Sequence, residues 1–308
     1  METADIVRAR QAMYIAVVIV NYNSGRHLKN CLGSFARYNG SAERYDVYVY
    51  DNGSTDKSMI TARQAFPHIH FIEGQTNAGF AQAANRVIRK IRSRYILLVN
   101  PDVVVLPGTI ERMTGFMEDH PRCGVVGGEI ISPRGYAQHA CRRFPDYRNV
   151  LFGRRSLLRR VMPDNPGSHR YLYLDLDTSQ PQQVDFVEGS LMLVRRKALE
   201  DTGLFDEGYF LYVEDADLCY RMKQQGWQTW WLPRTYAIHF RGETFRQDNI
   251  HPAMHHSRGL YRFFTRHNRP NRMLHWALRI VLAMRLTYVV VFESIKGVFH
   301  DISFSPRQ

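Results

Sequence analysis

An α/β fold, with a mostly parallel sheet flanked by helices, is predicted by three features of the sequence. Apolar strand-like runs alternate with helical stripes from residue 14 to 131, the connections between them are short, and the runs end in polar or turn-forming clusters. Such alternation implies right-handed crossovers. The run that orders the rest is Ile96 to Asp102, Ile-Leu-Leu-Val-Asn-Pro-Asp. Residues 97–99 are all apolar, as expected when both faces of a parallel strand are covered, and Pro101 blocks the ladder. Asp102 is thereby delivered to the rim of the sheet. In open α/β sheets the crevice beyond the carboxyl ends of the strands is where ligands bind.

Taken in order, Tyr14 to Val20 is a β-branched run and reads as a central strand, ending in Asn21-Tyr22-Asn23-Ser24-Gly25. Leu28, Leu32 and Phe35 fall at helical spacing, and Asn39-Gly40 stops that helix. Tyr45 to Tyr50 is the next strand; it closes with Asp51-Asn52-Gly53-Ser54-Thr55-Asp56, a turn too polar to be buried without a ligand or solvent. Lys57 to Phe66 reads as a helix and His68 to Glu73 as a short strand. Asn77-Ala78-Gly79-Phe80 opens a helix whose Ala84, Val87, Ile88 and Ile91 form one apolar stripe, leading into the strand that ends at Asp102. Gly108 to Met117 is a further helix and Gly124 to Ile131 a further strand.

From Ser132 to Gln183 the pattern gives way to Pro, Gly, Arg and Tyr, with Arg154, Arg155, Arg159 and Arg160 set between Leu151-Phe152 and Leu157-Leu158. A long irregular excursion in a compact domain is a lid, a binding loop or a solvated basic face. Val184 to Val194 reads as a strand interrupted by Glu188-Gly189, where a glycine marks a bulge or a close approach. Glu214-Asp215-Ala216-Asp217 leads into a helix that Gly226 ends, and Thr229 to His239 is the last clear strand.

The chain has 308 residues, 44% of them hydrophobic, enough for a full core. Its Cys residues, at 31, 123, 141 and 219, lack the close paired spacing of a zinc site and read as reduced thiols. Met1 to Gln11 lacks the apolar core of a signal peptide, which predicts a cytoplasmic enzyme. A net charge of +12 favours an anionic partner. Nucleic acid is not expected, because no recognition motif of that class is present.

The acids Asp51, Asp102 and Glu214-Asp215 fall at loops after strands or at a helix start. A hard divalent cation with a diphosphate ligand needs only one or two protein carboxylates, since substrate oxygens and water complete its shell. Glu214 and Asp215 could simply cap their helix, yet a helix start also keeps a carboxylate ionised and able to accept a proton.

Val-Val-Ile-Val-Asn-Tyr-Asn at 17–23, Asp-Asn-Gly-Ser-Thr-Asp at 51–56, Asn-Ala-Gly-Phe at 77–80, Asn-Pro-Asp at 100–102, Glu-Gly-Ser at 188–190 and Tyr-Val-Glu-Asp-Ala-Asp-Leu-Cys-Tyr-Arg at 212–221 together resemble the inverting family 2 glycosyltransferases of GT-A (Rossmann-like) fold, and within them the bacterial rhamnosyltransferase branch. The similarity spans about residues 14–245. It implies a nucleotide-sugar half at about 14–132 and an acceptor half at about 133–270, together one domain over 1–270.

The resemblance implies roles as well. Asn21, Asn23, Asp51 and Asn77 would line the base and ribose pocket. Asp102 stands where the family's Asp-X-Asp motif ends and would bind Mg or Mn through the diphosphate. Asn100 replaces the first acid of that motif, so a further ligand is wanted, and His239 lies where related enzymes place one. Glu188 and Gly189 would line the sugar end. Asp215 matches the catalytic base, with Glu214 touching either the acceptor or the fold. The implied donor is dTDP-L-rhamnose and the implied acceptor a lipid-linked molecule or glycan. A nucleotidyltransferase would want a Gly-rich, basic first loop; a non-catalytic sugar-binding scaffold would not need Asp51, Asp102 and Asp215 together.

The segment 271–308 reads as an amphipathic helical extension. Its longest mostly apolar piece, Ile280 to Phe292, is broken by Arg285 and is shorter than the roughly 20 residues of a membrane span. Wound at about 100° per residue, Arg272, His275, Arg279, Arg285, Glu293, Lys296 and His300 fall within about 140°, opposite Trp276, Ile280, Met284, Val291 and Ile295. Leu282 and Leu286 intrude on the polar arc, so packing on the domain stays open. With Arg262, Arg266 and Arg269 upstream, the expected partner is an anionic membrane surface, at the inner face of the cytoplasmic membrane.

Overall fold

The sheet orders its strands from the apolar alternation upward. In the computed structural model, which describes residues 15–38, 45–138, 140–147, 161–162, 165–240, 250–268 and 271–303, β1 (Ile15–Asn21) is buried along its whole length. Ala16, Val18 and Val20 face one side with the stripe of α3 (Phe80–Ile88), while Ile15, Val17 and Ile19 face the other with Leu28, Leu32 and Phe35 of α1 (Arg26–Tyr38). The period-two alternation of a strand thus feeds two cores, one on each face.

β2 (Tyr45–Asp51) and β4 (Tyr95–Val99) flank β1 in parallel, and β3 (His70–Glu73) lies parallel outside β2, with α2 (Ser58–Ala65) between β2 and β3 in sequence. Asn100–Asp102 is the turn into β5 (Val103–Val105), a short strand that the sequence reading did not separate. α4 (Thr109–Asp119) and β6 (Cys123–Ile131) follow as expected.

The strand predicted over Val184 to Val194 is interrupted at Glu188-Gly189 as expected, but it is also broken at Asp185. Small strands β7 (Ala137–Gln138) and β8 (Cys141–Arg142) and helix α5 (Pro166–Leu172) precede it. The segment itself forms β9 (Gln182–Val184), β10 (Phe186–Val187) and β11 (Leu191–Arg195), each with a different partner: β9 pairs β12 (Gln228–His239), β10 pairs β8, and β11 lies antiparallel between β4 and β6. Glu188–Ser190 is the crossover between two ladders: Glu188 N–H bonds Ala140 O beyond β8, Ser190 O accepts from Asn100 N–H beyond β4, and Gly189 between them bonds Asp215. The ten-stranded sheet runs β3-β2-β1-β4-β11-β6-β12-β5, with β7 and β9 off that path.

After β11 come α6 (Arg196–Thr202), α7 (Glu214–Gln224), β12, α8 (Ile250–Phe263) with a π-turn at Phe264–Asn268, and α9 (Arg272–Ser303). Against the expected short apolar piece, α9 is one continuous helix, and Arg272–Val291 is long and apolar enough to cross a membrane by length and composition. The count changes because single arginines on separate turns interrupt a run without ending a helix. Leu278, Leu282 and Val289 are its buried seam, so the leucine that interrupts the polar arc is what packs on the domain. His275 and Arg285 turn inward beside that seam, bonding Tyr261 and His256 of α8, while Trp276, Ile280, Met284 and Val291 face outward.

The readings on Met1–Tyr14, Asn39-Gly40, the Arg154–Arg160 cluster and Arg269 fall outside the described residues, as do the side chains of Glu293, Ile295, Lys296 and His300.

Candidate active site

The parallel strands β1, β2 and β4 end at one edge of the sheet and bring Asn21, Asp51 and Asn100 to it. Antiparallel β11 begins at that edge, which places Glu188–Ser190 there, and His239 enters from the end of β12 because it pairs with Val103, next to Asp102.

The first part of the site is a hydrogen-bonded loop cluster. Asn21, fully buried, donates from Nδ2 to Asp51 Oδ1 at 3.0 Å, to Ser54 Oγ at 3.1 Å and to Ser58 Oγ at 2.9 Å, and accepts from Ser24 Oγ. Asp51 also accepts from the hydroxyl and backbone N–H of Ser54. Asn23 Oδ1 accepts from the backbone N–H groups of Thr55 and Asp56. Asn52 donates to Asn77 Oδ1 at 2.8 Å and accepts from the N–H of Ala78. Asn21 and Asn23 therefore shape the loop from within; Asn21 braces Asp51, and Asn52 braces Asn77.

The second part is the pair Asp102 and His239, with Nε2 3.3 Å from Oδ1. His239 is buried and its Nδ1 has no hydrogen-bond partner. Among the described residues no group of three or more His, Cys, Asp or Glu gathers as a metal cage.

The third part surrounds Asp215. Tyr212 and Val213 both take left-handed backbone conformations, φ 69° and 72°, immediately before α7. A β-branched residue there costs on the order of 1–3 kcal/mol and persists only where the surroundings enforce it. Here the enforcement is close packing: the backbone of Gly259 on α8 lies against Tyr212 O and Val213, and Phe210 O accepts from Phe80 N–H at 2.8 Å. Val213 occupies the cap position, so neither acid caps the helix. Instead Asp215 Oδ1 accepts from Ala216 N–H at 2.8 Å and Oδ2 from Gly189 N–H at 3.1 Å.

Burial pushes the Asp215 carboxyl up to about 6, with Glu188 acting in the same direction; the N–H groups of Ala216 and Gly189, and Arg142, oppose it. Burial first, and Asp215 second, hold Glu214 well above the usual carboxylate range. Glu214 Oε2 has no hydrogen-bond partner. One carboxyl is thus poised near neutrality and its neighbour is raised by burial as well, an arrangement in which Asp215, held by two N–H groups, is the candidate proton acceptor.

The family model for glycosyl transferase family 2 matches residues 16–203. The chain belongs to glycosyltransferase family 2. This glycosyltransferase is 31% identical over 296 residues to an N-acetylglucosaminyl-diphospho-decaprenol L-rhamnosyltransferase of Mycobacterium tuberculosis, covering 92% of the chain and 94% of that protein. It is 23% identical to the rhamnosyltransferase WbbL of Escherichia coli K12, covering 82% and 93%. Among solved structures it superposes on GalNAc-T7 with UDP, GalNAc and Mn2+ (TM-score 0.61, 16% identity, 82% of this chain and 47% of that one) and on the mannosyltransferase PcManGT from Pyrobaculum calidifontis with GDP-Man and Mn2+ (TM-score 0.56, 16% identity, 95% and 81%). These likenesses agree with the GT-A fold expected from the sequence.

Two features of the glycosyltransferase site escaped the sequence. Arg142, 8% exposed, pairs with Glu188 and reaches it from the irregular excursion, where no periodicity marked it. Asp217, fully buried, accepts from Arg221 Nε at 2.7 Å and lies 2.7 Å from His267 Nε2, bolting the helix of Asp215 to the π-turn after α8. An acid two residues past a candidate base was the available signal.

Proposed function

We propose that this glycosyltransferase moves L-rhamnose from dTDP-L-rhamnose to a hydroxyl of a lipid-linked or polysaccharide acceptor in bacterial cell-envelope glycan synthesis, with inversion at the anomeric carbon. The observation that carries the chemistry is Asp215, half-buried at a strand-end crevice with its Oδ2 on Gly189 N–H. The sugar and acceptor follow from the names of the mycobacterial and enterobacterial relatives together with Asn100-Pro101-Asp102.

Asp51, braced by Asn21 and Ser54, and Asn77, braced by Asn52, bind the nucleoside of the donor. Asp102 and His239 fit a divalent cation, Mg or Mn: the imidazole is buried beside the carboxylate and keeps an unpartnered nitrogen. Two protein groups suffice for such a cation when diphosphate oxygens complete its shell. When bound, it supplies Lewis-acid stabilisation of the charge on the departing nucleoside diphosphate. Asp215 accepts the proton of the acceptor hydroxyl as that oxygen attacks the anomeric carbon from the face opposite the leaving group. Glu188, held by Arg142, orients the sugar. Glu214, buried beside Asp215, shapes the base's surroundings.

Docking at the inner face of the cytoplasmic membrane is supported by α9. Met273, Trp276, Ile280, Met284 and Val291 form an exposed apolar stripe at helical spacing, with exposed Arg272 and Arg279 beside it. An amphipathic face with a tryptophan and flanking cations is what an anionic interface binds.

The test is release of nucleoside diphosphate from a panel of dTDP-, UDP- and GDP-sugars, with an N-acetylglucosaminyl-diphospho-polyprenol acceptor and Mg, Mn or EDTA. Metal-dependent, acceptor-dependent release from dTDP-L-rhamnose is expected. Turnover of a different donor overturns the sugar assignment; absence of binding to every nucleotide sugar overturns the transferase chemistry.

A further inference from the structure

The inward side of α9 sets a cation against α8, beside the turn that precedes the base. Arg285 Nη1 lies 3.0 Å from His256 Nδ1 on α8. A guanidinium can only donate, so His256 Nδ1 accepts and its Nε2 carries the ring proton. The His256 ring in turn lies 6.0 Å from that of Tyr212, the first of the strained residues that aim Asp215. Both Arg285 and His256 are half-buried, reachable from solvent but backed by protein. The Tyr171 hydroxyl reports the same grouping: burial raises it, Arg142 and Arg285 draw it back, and Asp215 and Glu188 push it higher.

These groups sit on the inward side of α9, opposite its outward apolar stripe, and against the Tyr212–Val213 turn that leads into the helix of Asp215. A guanidinium fork with an adjacent imidazole N–H is a donor set for paired phosphate oxygens. We propose that Arg285 and His256 seat the diphosphate of a lipid-linked acceptor, so that the lipid tail lies along the outer face of α9 and the first sugar turns its hydroxyl to Asp215. The assignment rests on the acceptor class proposed above, and it names the residues that recognise it. It also gives α9 a purpose beyond anchorage: the helix that meets the lipid supplies a ligand to the acceptor.

The experiment measures binding of geranyl diphosphate to the full chain by calorimetry, with the donor site saturated by dTDP and Mg so that the nucleotide pocket is closed to it. Geranyl monophosphate and inorganic pyrophosphate serve as controls. Wild type is expected to bind geranyl diphosphate saturably and at least about tenfold more tightly than the monophosphate, with pyrophosphate competing. Arg285→Gln is expected to lose that preference and Arg285→Lys to keep part of it. His256→Gln reads the same seat from the other helix should Arg285→Gln not fold. Absence of saturable binding in wild type, or equal preference in both glutamine variants, overturns the seat. Because this readout requires no turnover, it stands apart from the donor panel: an inactive enzyme that binds geranyl diphosphate keeps the seat and loses the transferase reading.

Discussion

The backbone N–H of Gly189 donates to Oδ2 of Asp215 at 3.1 Å, and one residue on, Ser190 O accepts from Asn100 N–H at 3.1 Å. A single short segment therefore ties the proposed base to the turn that carries Asp102. The break between β10 and β11 is where that link is made: Glu188 N–H still continues the β10–β8 pairing to Ala140 O and Ser190 O the β11–β4 pairing, while Gly189 between them turns its N–H to Asp215.

Because burial raises the Asp215 carboxyl to about 6, the native state binds its proton more tightly than the unfolded chain does. Stability from this group is present at low pH and is lost as pH rises from about 4 through about 6. Asp215→Asn is therefore expected to unfold at a higher temperature than wild type at pH 8, by roughly 1–3 kcal/mol or a few degrees, and to show no gain at pH 4. Thermal scans at the two pH values check it.

Arg142 holds Asp215 below where burial alone would set it, and it neutralises Glu188. In Arg142→Gln the acid limb of kcat/KM is expected to move to higher pH, so that turnover at pH 6 falls by a larger factor than turnover at pH 8. An unmoved limb with uniformly reduced turnover would reduce Arg142 to a packing role.

Gly79 has φ 82°, and a Cβ there would lie 2.3 Å from Phe210 O. Gly79→Ala is expected to cost more than about 2 kcal/mol in denaturant unfolding, because both the backbone conformation and the approach to the Phe210 loop are lost. Gly135, with φ 82° but open space around it, is the control: Gly135→Ala carries only the backbone cost.

Replacing Trp276, Ile280 and Met284 together by serine leaves the seam of Leu278, Leu282 and Val289 untouched. The variant is expected to keep its unfolding temperature and to lose co-sedimentation with anionic liposomes. Unchanged sedimentation would assign the membrane contact elsewhere.

The first half of the fold was legible because its parallel strands are buried on both faces and its helices carry single apolar stripes; Val17 to Ile19 and Ala84 to Ile88 state their places without help from distant residues. Asp102 was legible for the same reason, as the acid that follows a blocked strand. The direction of β11 was not, since antiparallel insertion between β4 and β6 depends on pairing across the chain and leaves no periodicity of its own. Arg142 was hidden likewise by irregular sequence. For α9, winding the sequence set Trp276, Ile280, Met284 and Val291 apart from His275 and Arg285 but left open which face packs on the domain; His275 and Arg285 turn inward because Tyr261 and His256 receive them.

The most direct test of Asp215 as the base is the pH dependence of rhamnosyl transfer by wild type and Asp215→Asn, measured from pH 5 to 9 with saturating metal. The expected wild-type kcat/KM rises to a plateau through an apparent pKa of about 6, and the variant is about 10²–10⁴-fold slower across the range with no such limb. An Asp215→Asn enzyme within tenfold of wild type, or one that keeps the limb near pH 6, would contradict the assignment and place the proton acceptor elsewhere.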